Sequence, residues 1–239
     1  MPHKPTFHRY RDLTPATINV EYQVHTSRTD GEAEPHVVLD AAMERGLSAI
    51  AFTEHVRKDT GWFAAFAAEI RGLAPRYAGM AVYVGCETKV LDEDGTLDVS
   101  QTILDSCDIV LGSVHRVPKP GGGYYDFSAL APADFAELEF NHAMAMVRHA
   151  PIDVLAHPGG MYERRHGAFP PELFRRMMMA TLDRGIAIEI NSSYLVDRDG
   201  FLALCEEINP IVSIGSDAHK LVELGRCRDA VLARRGAAS

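Results

Sequence analysis

His25, Asp30, His55, Glu87, His115, His157, Asp217 and His219 recur in one kind of place along this chain. All but Asp30 end, or closely follow, a short run of apolar and β-branched residues, and Asp30 lies five residues beyond His25. Imidazole and carboxylate groups are ligands for Zn2+, Mn2+ or Fe2+. Eight candidates are too many for one tetrahedral ion. The set points to two or three divalent ions, with a carboxylate such as Glu87 bridging. Such a cluster offers Lewis acidity and a hydroxide nucleophile, because metal-bound water can fall to a pKa of about 7. Two ions can also clamp the attacking and leaving oxygens of a displacement. A single histidine after a strand is more often a surface or hydrogen-bonded residue, so the argument rests on the whole set. His3, His8, His36, His142, His149 and His166 fall in the N-terminal segment, in helical patterns or in a loop, and add nothing to it.

The runs that must position these residues are INVEYQVH (18–25), LSAIAFTEH (47–55), MAVYVGCE (80–87), DIVLGSVH (108–115), DVLAHP (153–158), IAIEINSS (186–193) and PIVSIGSDAH (210–219). Six of these seven end in a candidate ligand. Between most of them lie helical patterns, at 34–46, 62–73, 132–150, 170–185 and 199–209. Pro132 and the acidic residues after it suit a helix start, and Gly46 and Gly185 suit helix ends. Strands alternating with helices predict an α/β fold with a mainly parallel sheet, as a distorted TIM-like barrel or an open doubly wound sheet. In both, active sites lie at the C-terminal ends of the strands. Residues far apart in sequence would converge there.

The chain has 239 residues, enough to bury a sizeable core without a disulfide staple. A net charge of −9 argues against broad electrostatic capture of long nucleic acid or anionic lipid. An anionic small substrate stays open, because bound cations reverse the field inside a cleft. Cys86, Cys107, Cys205 and Cys227 show no C-x-x-C spacing and read as free thiols in a reducing compartment. No signal-peptide pattern and no apolar run of membrane-spanning length is visible, so a cytoplasmic protein is expected. No repeat or linker splits the chain. It reads as one domain over 1–239, with an N-terminal extension at 1–17 and a frayed tail at 233–239. Gly121–Gly123 lacks the trailing Lys-Ser/Thr of a P-loop and reads as a flexible loop.

The motifs QVHTSRTDG, FTEH, GCE, GSVH, AHP and GSDAH, in this order, resemble those of the PHP (polymerase and histidinol phosphatase) family. The likeness runs from Val20 to about Leu224. It implies a distorted seven-stranded βα barrel and phosphatase or phosphodiesterase activity at a trinuclear Mn, Fe or Zn centre. Carried over position by position, one ion would be held by Gln23, His25, Glu87 and Asp217. A second would share Glu87 with His115 and His157. A third would take Asp30, His55 and His219. The departure is Gln23, which stands where the family's H-x-H pair has its first histidine. Its amide oxygen can coordinate a hard ion or hydrogen-bond a water, but it competes poorly with imidazole. A retained, retuned centre is expected, since every other position is filled.

Basic residues follow several of these positions: Arg57 and Lys58 after His55, Arg116 and Lys119 after His115, Arg164 and Arg165 after His157. Arginine suits bidentate phosphate binding, and Arg116, then Arg57 and Arg164, are the expected phosphate contacts. The expected activity is hydrolysis of a small phosphomonoester, with Asp217 or His219 handling the proton. Asn191 could orient substrate or a ligand, and Trp62 is expected to pack. The rival readings are a phosphodiesterase or nuclease acting on a nucleotide or cyclic phosphate, and a non-catalytic metal-binding module.

Overall fold

The computed structural model describes residues 4–237. All seven expected runs are strands: β2 (Val20–Val24), β3 (Ala49–His55), β4 (Ala81–Lys89), β5 (Ile109–Ser113), β6 (Val154–Leu155), β7 (Ala187–Asn191) and β8 (Ile211–Gly215). They pair in parallel from β2 through to β8. An eighth strand, β1 (His8–Arg9), pairs antiparallel with β8, His8 opposite Val212 and Arg9 opposite Ile211. The expectation of seven strands is therefore corrected to an eight-stranded, mostly parallel sheet in the order β1-β8-β7-β6-β5-β4-β3-β2. The addition comes from within the N-terminal extension. Two polar residues carry no periodicity, so β1 left no pattern to read.

The two ends of the parallel run meet near their C-terminal ends. Ala218, just past β8, forms one parallel bridge with Val24, with His25 N donating to Ala218 O at 2.9 Å and Ala218 N to Gln23 O at 3.1 Å. The β-type pairing between these two ends is that isolated bridge and not a ladder. It sets the first and last candidate ligands side by side.

The helices cover the sheet: α1 (Pro15–Ile18), α2 (Pro35–Glu44), α3 (Phe63–Leu73), α4 (Gln101–Ser106), α5 (Pro132–His149), α6 (Gly160–His166), α7 (Pro171–Arg184), α8 (Arg198–Ile208) and α9 (Arg226–Ala237). Pro opens α2, α5 and α7, where its missing N–H costs nothing. Gly185 ends α7 at φ 70°, a left-handed cap that a Cβ would strain. Phe52, Phe63, Phe66, Phe135, Phe140, Phe169 and Phe201 are fully buried in one core shared by the sheet and these helices. Trp62 packs edge-on against Phe66, ring centroids 5.8 Å apart. No helix among the described residues is long and apolar enough to cross a membrane.

Two stretches differ from the sequence reading. Residues 233–237, expected to fray, continue α9, and Arg235 donates to the Tyr10 carbonyl at 2.9 Å. The segment PGGMYERRHG, which lies outside the helical patterns read from the sequence, contains α6. Its first turn is satisfied from outside, because the buried Glu139 of α5 accepts from Met161 N at 3.1 Å and Tyr162 N at 2.8 Å. That long-range cap leaves no local signal.

Candidate metal centre

Glu87 is the hub. It lies near the end of β4, 1% exposed, in register with His55 on β3. Its Oε1 is 2.9 Å from His115 Nε2 and 2.7 Å from His157 Nε2. Its Oε2 is 3.2 Å from His55 Nδ1 and 3.4 Å from His25 Nε2. Four imidazoles from four strand ends thus meet one carboxylate. Asp217 Oδ1 approaches His25 Nε2 at 3.0 Å. Asp30 stands on the outer side, 3.4 Å from His55 Nε2 and 3.3 Å from His219 Nε2. The structure therefore brings together His25, Asp30, His55, Glu87, His115, His157, Asp217 and His219.

Among the described residues, three overlapping groups have ligand atoms within 4.8 Å of one another: His25, Asp30, His55 and His219; His55, Glu87 and His115; His25, Glu87 and Asp217. The grouping differs in detail from the sets carried over by resemblance. His55 joins Glu87 and His115 as well as Asp30, and His25 reaches toward Asp30 at 4.0 Å.

Gln23 behaves differently. It is fully buried, and its Oε1 accepts from Asn191 Nδ2 at 2.9 Å. Asn191 cannot turn over, because its Oδ1 accepts from Ser193 N at 2.8 Å while its Nδ2 also serves Glu189 Oε2 at 3.0 Å. The Gln23 oxygen is thus engaged, and its free atom is the donor Nε2. An amide N–H has no lone pair for a cation.

Local structure explains why these side chains sit here. Glu21 and Gln23 lie on β2 and His25 directly follows it, with the β2–β3 register shifting between Glu21 and Val24. Glu21 accepts from Ser216 N at 2.6 Å and Gly225 N at 2.9 Å, fixing the chain on both sides of Asp217 and His219. The loop that carries Asp30 is tied by buried Glu54, which accepts from Thr26 N at 2.8 Å and from the Thr29 hydroxyl. Gly31 follows because a Cβ there would collide with the His25 carbonyl. His157 and Asp217 both have positive φ, 27° and 50°. Non-glycine residues hold that conformation only where surroundings enforce it. For His157 the enforcing group is Glu189, whose Oε2 accepts from His157 N at 2.7 Å. Glu21, Glu54, Glu139 and Glu189 were absent from the sequence-derived candidates. The signal available for Glu21 and Glu189 was a carboxylate at the alternate positions of an otherwise apolar strand.

The donor set fits divalent ions. Both ring nitrogens of His25, Glu87 Oε2 and Asp217 Oδ1 are buried without a hydrogen-bond partner. His219 Nδ1 lies 2.9 Å from the Asp217 carbonyl; donation there leaves Nε2 with its lone pair toward Asp30. Burial disfavours a charged His157, yet Glu87 pushes its pKa up to about 9. Burial likewise opposes charge on His25, but Asp217 and Glu87 raise it well above the ordinary imidazole value. Burial opposes ionisation of Glu87, and His115, His55 and His157 nevertheless hold it well below the carboxylate range. Ligands must shed these protons. Loading with Zn2+ or Mn2+ is expected to release protons, with apparent affinity rising about tenfold per pH unit for each proton released. Calorimetry in buffers of different ionisation heat counts them; no release between pH 7 and 8 would contradict the assignment.

Arg57 and Arg116 line a cavity of about 250 Å³ with His55, Glu87, Lys89 and His115. Arg164 lines a second, of about 280 Å³, with Asp30, His55, His115, Asp217 and His219. Its guanidinium lies 4.5 Å from the Tyr194 ring, which stacks on His157 at 4.5 Å. All three expected phosphate contacts therefore line the cleft, whereas Lys58 and Lys119 line neither cavity.

A PHP domain model matches residues 21–193. The chain belongs to the PHP family. As a PHP-family protein it is a hydrolytic enzyme. It is 27% identical over 202 residues to a probable phosphatase of Thermoanaerobacter sp. strain X514, covering 80% of this chain and 74% of that one. The fold is similar to that of histidinol phosphate phosphatase from Lactococcus lactis, solved with zinc, L-histidinol and phosphate. That likeness has a TM-score of 0.68 at 17% identity, over 89% of this chain and 93% of the other. It is also similar to the putative histidinol phosphatase of Listeria monocytogenes, with a TM-score of 0.70 at 14% identity, over 88% and 99%.

Proposed function

We propose that this PHP-family protein hydrolyses small phosphomonoesters at a centre of two or three divalent ions, Mn, Fe or Zn. The observation that carries the reading is one buried carboxylate, Glu87, among four imidazoles beneath a cleft lined by Arg57, Arg116 and Arg164. We assign the ions to His25, Glu87 and Asp217; to Glu87, His115 and His157; and to Asp30, His55 and His219. When bound, they supply Lewis acidity toward phosphoryl oxygens and lower the pKa of a water.

The protein's own groups do the rest. Arg57, Arg116 and Arg164 hold the phosphoryl oxygens and offset charge as the water oxygen bonds to phosphorus and the ester oxygen leaves. The water's proton goes to Asp217, and the leaving oxygen takes one from solvent water. His219, about 30% exposed on its side chain, is the member of the pair open to proton exchange with solvent. The relatives named as histidinol phosphatases support a small substrate. The cysteines are free and buried, which supports placement in the reducing cytoplasm.

The test is phosphate release from sugar, amino-alcohol and nucleotide phosphates, with metal analysis on the same sample. Bound metal and turnover of at least one monoester are expected. Negligible metal, with no release after Mn2+ supplementation, would sink the reading.

A further inference from the structure

The connection from β5 to α5, residues 114–131, builds a further chamber beside the candidate metal centre. Gly121, Gly122 and Gly123 all have positive φ, and they turn the chain so that Tyr124 bridges back to Pro118. Lys119 N donates to Gly123 O at 3.0 Å, and Tyr125 N to Val117 O at 2.9 Å. The triple glycine is therefore a hairpin turn that returns two tyrosines to Arg116. The chamber holds about 420 Å³ and is lined by His115, Arg116, Tyr124, Tyr125, Phe127 and Arg165, with Asp126 and Ser128. His115 and Arg116 also line the cavity that holds Glu87 and His55, so the two spaces share a wall.

Its cations are fixed and unspent. The Arg116 guanidinium lies 5.4 Å from the Tyr124 ring centre, and Lys89 is 5.6 Å from the same ring. The Arg165 guanidinium lies 4.7 Å from the Phe127 ring, and its Nη1 donates to the Met161 carbonyl at 3.0 Å. Phe127 in turn stacks on buried Phe135 at 4.4 Å. Among the described residues neither arginine forms an ion pair, in a chain with 33 acidic against 24 basic side chains. The one carboxylate in the chamber is occupied. Asp126 Oδ1 accepts from Ser128 N at 2.9 Å and Ser128 Oγ at 2.7 Å, and Lys119 lies near enough to help hold it ionised. Lys89 is matched by Asp98 at 3.3 Å. What remains is Arg116 and Arg165, oriented on aromatic faces and in no ion pair, against the single carboxylate of Asp126.

We propose that this chamber receives the alcohol part of the substrate, and that this part carries a second anionic group, a carboxylate or a phosphate, on a flat or compact frame. The assignment rests on the phosphomonoesterase reading above. A leaving group bearing an ammonium would meet two unpaired guanidinium groups and be disfavoured. A planar frame would gain from Tyr124 and Phe127, and an anion from the planar donors of Arg116 and Arg165.

The experiment uses the full chain loaded with Mn2+ and aryl phosphates whose second group is insulated from the ring by one or two methylene groups, so that the leaving phenols stay alike. The set is 4-methylphenyl phosphate, tyramine phosphate, 4-(carboxymethyl)phenyl phosphate and 4-(phosphonomethyl)phenyl phosphate. Expected is kcat/KM at least tenfold higher for an anionic ester than for the methyl ester, with the tyramine ester lowest. The carboxylate and phosphonate arms tell which anion is preferred. In Arg165→Met the ratio of anionic to methyl ester falls at least fivefold, chiefly through KM, because a charge contact remote from phosphorus acts mainly in binding. Equal rates for anionic and methyl esters, or preference for the tyramine ester, overturn the anionic class while phosphatase activity stands. No hydrolysis of any of the four overturns both readings.

Discussion

Replacing Glu87 with Gln is expected to lower bound metal by at least one ion per chain and to cut phosphate release about a thousandfold or more. Each Glu87 oxygen faces two imidazoles, at 2.7–2.9 Å for Oε1 and 3.2–3.4 Å for Oε2. A glutamine keeps the size but offers one oxygen and one N–H donor, so one pair of ring nitrogens loses its shared anionic partner. Removal of charge at a bridging position weakens more than one ion at once. Metal analysis of the purified variant and its turnover at saturating Mn2+ check the two parts separately. Full metal content with full loss of turnover would move Glu87 from ligand to another role. The metal-free proteins supply a further check. Glu87 ionises more readily folded than unfolded, so its contribution is present above about pH 4.5 and fades as pH falls through its folded value. His157, raised to about 9, contributes fully below about pH 6.5 and loses that contribution as pH rises through 9. The stability deficit of the variant should be greatest near pH 6 and shrink toward pH 10, on the order of 3–5 kcal/mol at its maximum for breaking a buried pair.

The C-terminal ends of the strands were legible because six of the seven runs carried a candidate ligand at or just past the end of an apolar stretch, a local pattern that needs no knowledge of partners. LSAIAFTEH and MAVYVGCE became β3 and β4, and their last residues, His55 and Glu87, sit opposite each other in the ladder. Parallel pairing then aligned five histidines and three carboxylates without further information. Three kinds of feature stayed hidden. β1 is two residues long and exists because β8 has a free edge beside it. The helix α6 starts where Glu139, more than twenty residues earlier, satisfies its first N–H groups. The buried carboxylates Glu21, Glu54 and Glu189 hold backbone N–H groups of distant segments, and such partners leave no spacing in the sequence. Gln23 belongs to this last class. Its residue type alone left ligand and hydrogen-bonding roles open, and only the orientation of Asn191, set by Ser193 N, separates them.

Glu189→Ala is expected to weaken metal binding about 10- to 100-fold, the usual effect of losing a group that orients a ligand. Glu189 touches no proposed ion directly. It is fully buried, accepts from His157 N at 2.7 Å and from Asn191 Nδ2 at 3.0 Å, and burial raises its own pKa to about 8. Gly215 beside it carries no side chain, and a Cβ there would run into the Glu189 carboxyl. Alanine leaves the His157 amide without an acceptor, a cost of about 1–3 kcal/mol. It also removes the contact that keeps His157 at φ 27°, so the ring can relax away from Glu87. Gln23→Ala, by contrast, removes one Asn191 contact while Asn191 stays anchored at Ser193 N and Glu189, so metal affinity should change less than about threefold. Titration of metal-free variants with Zn2+ against a chelator of known affinity, read without any turnover, ranks the two. If Gln23→Ala proves the more damaging, its amide oxygen leaves Asn191 on metal loading and joins the ions, and the network described here belongs to the metal-free protein alone.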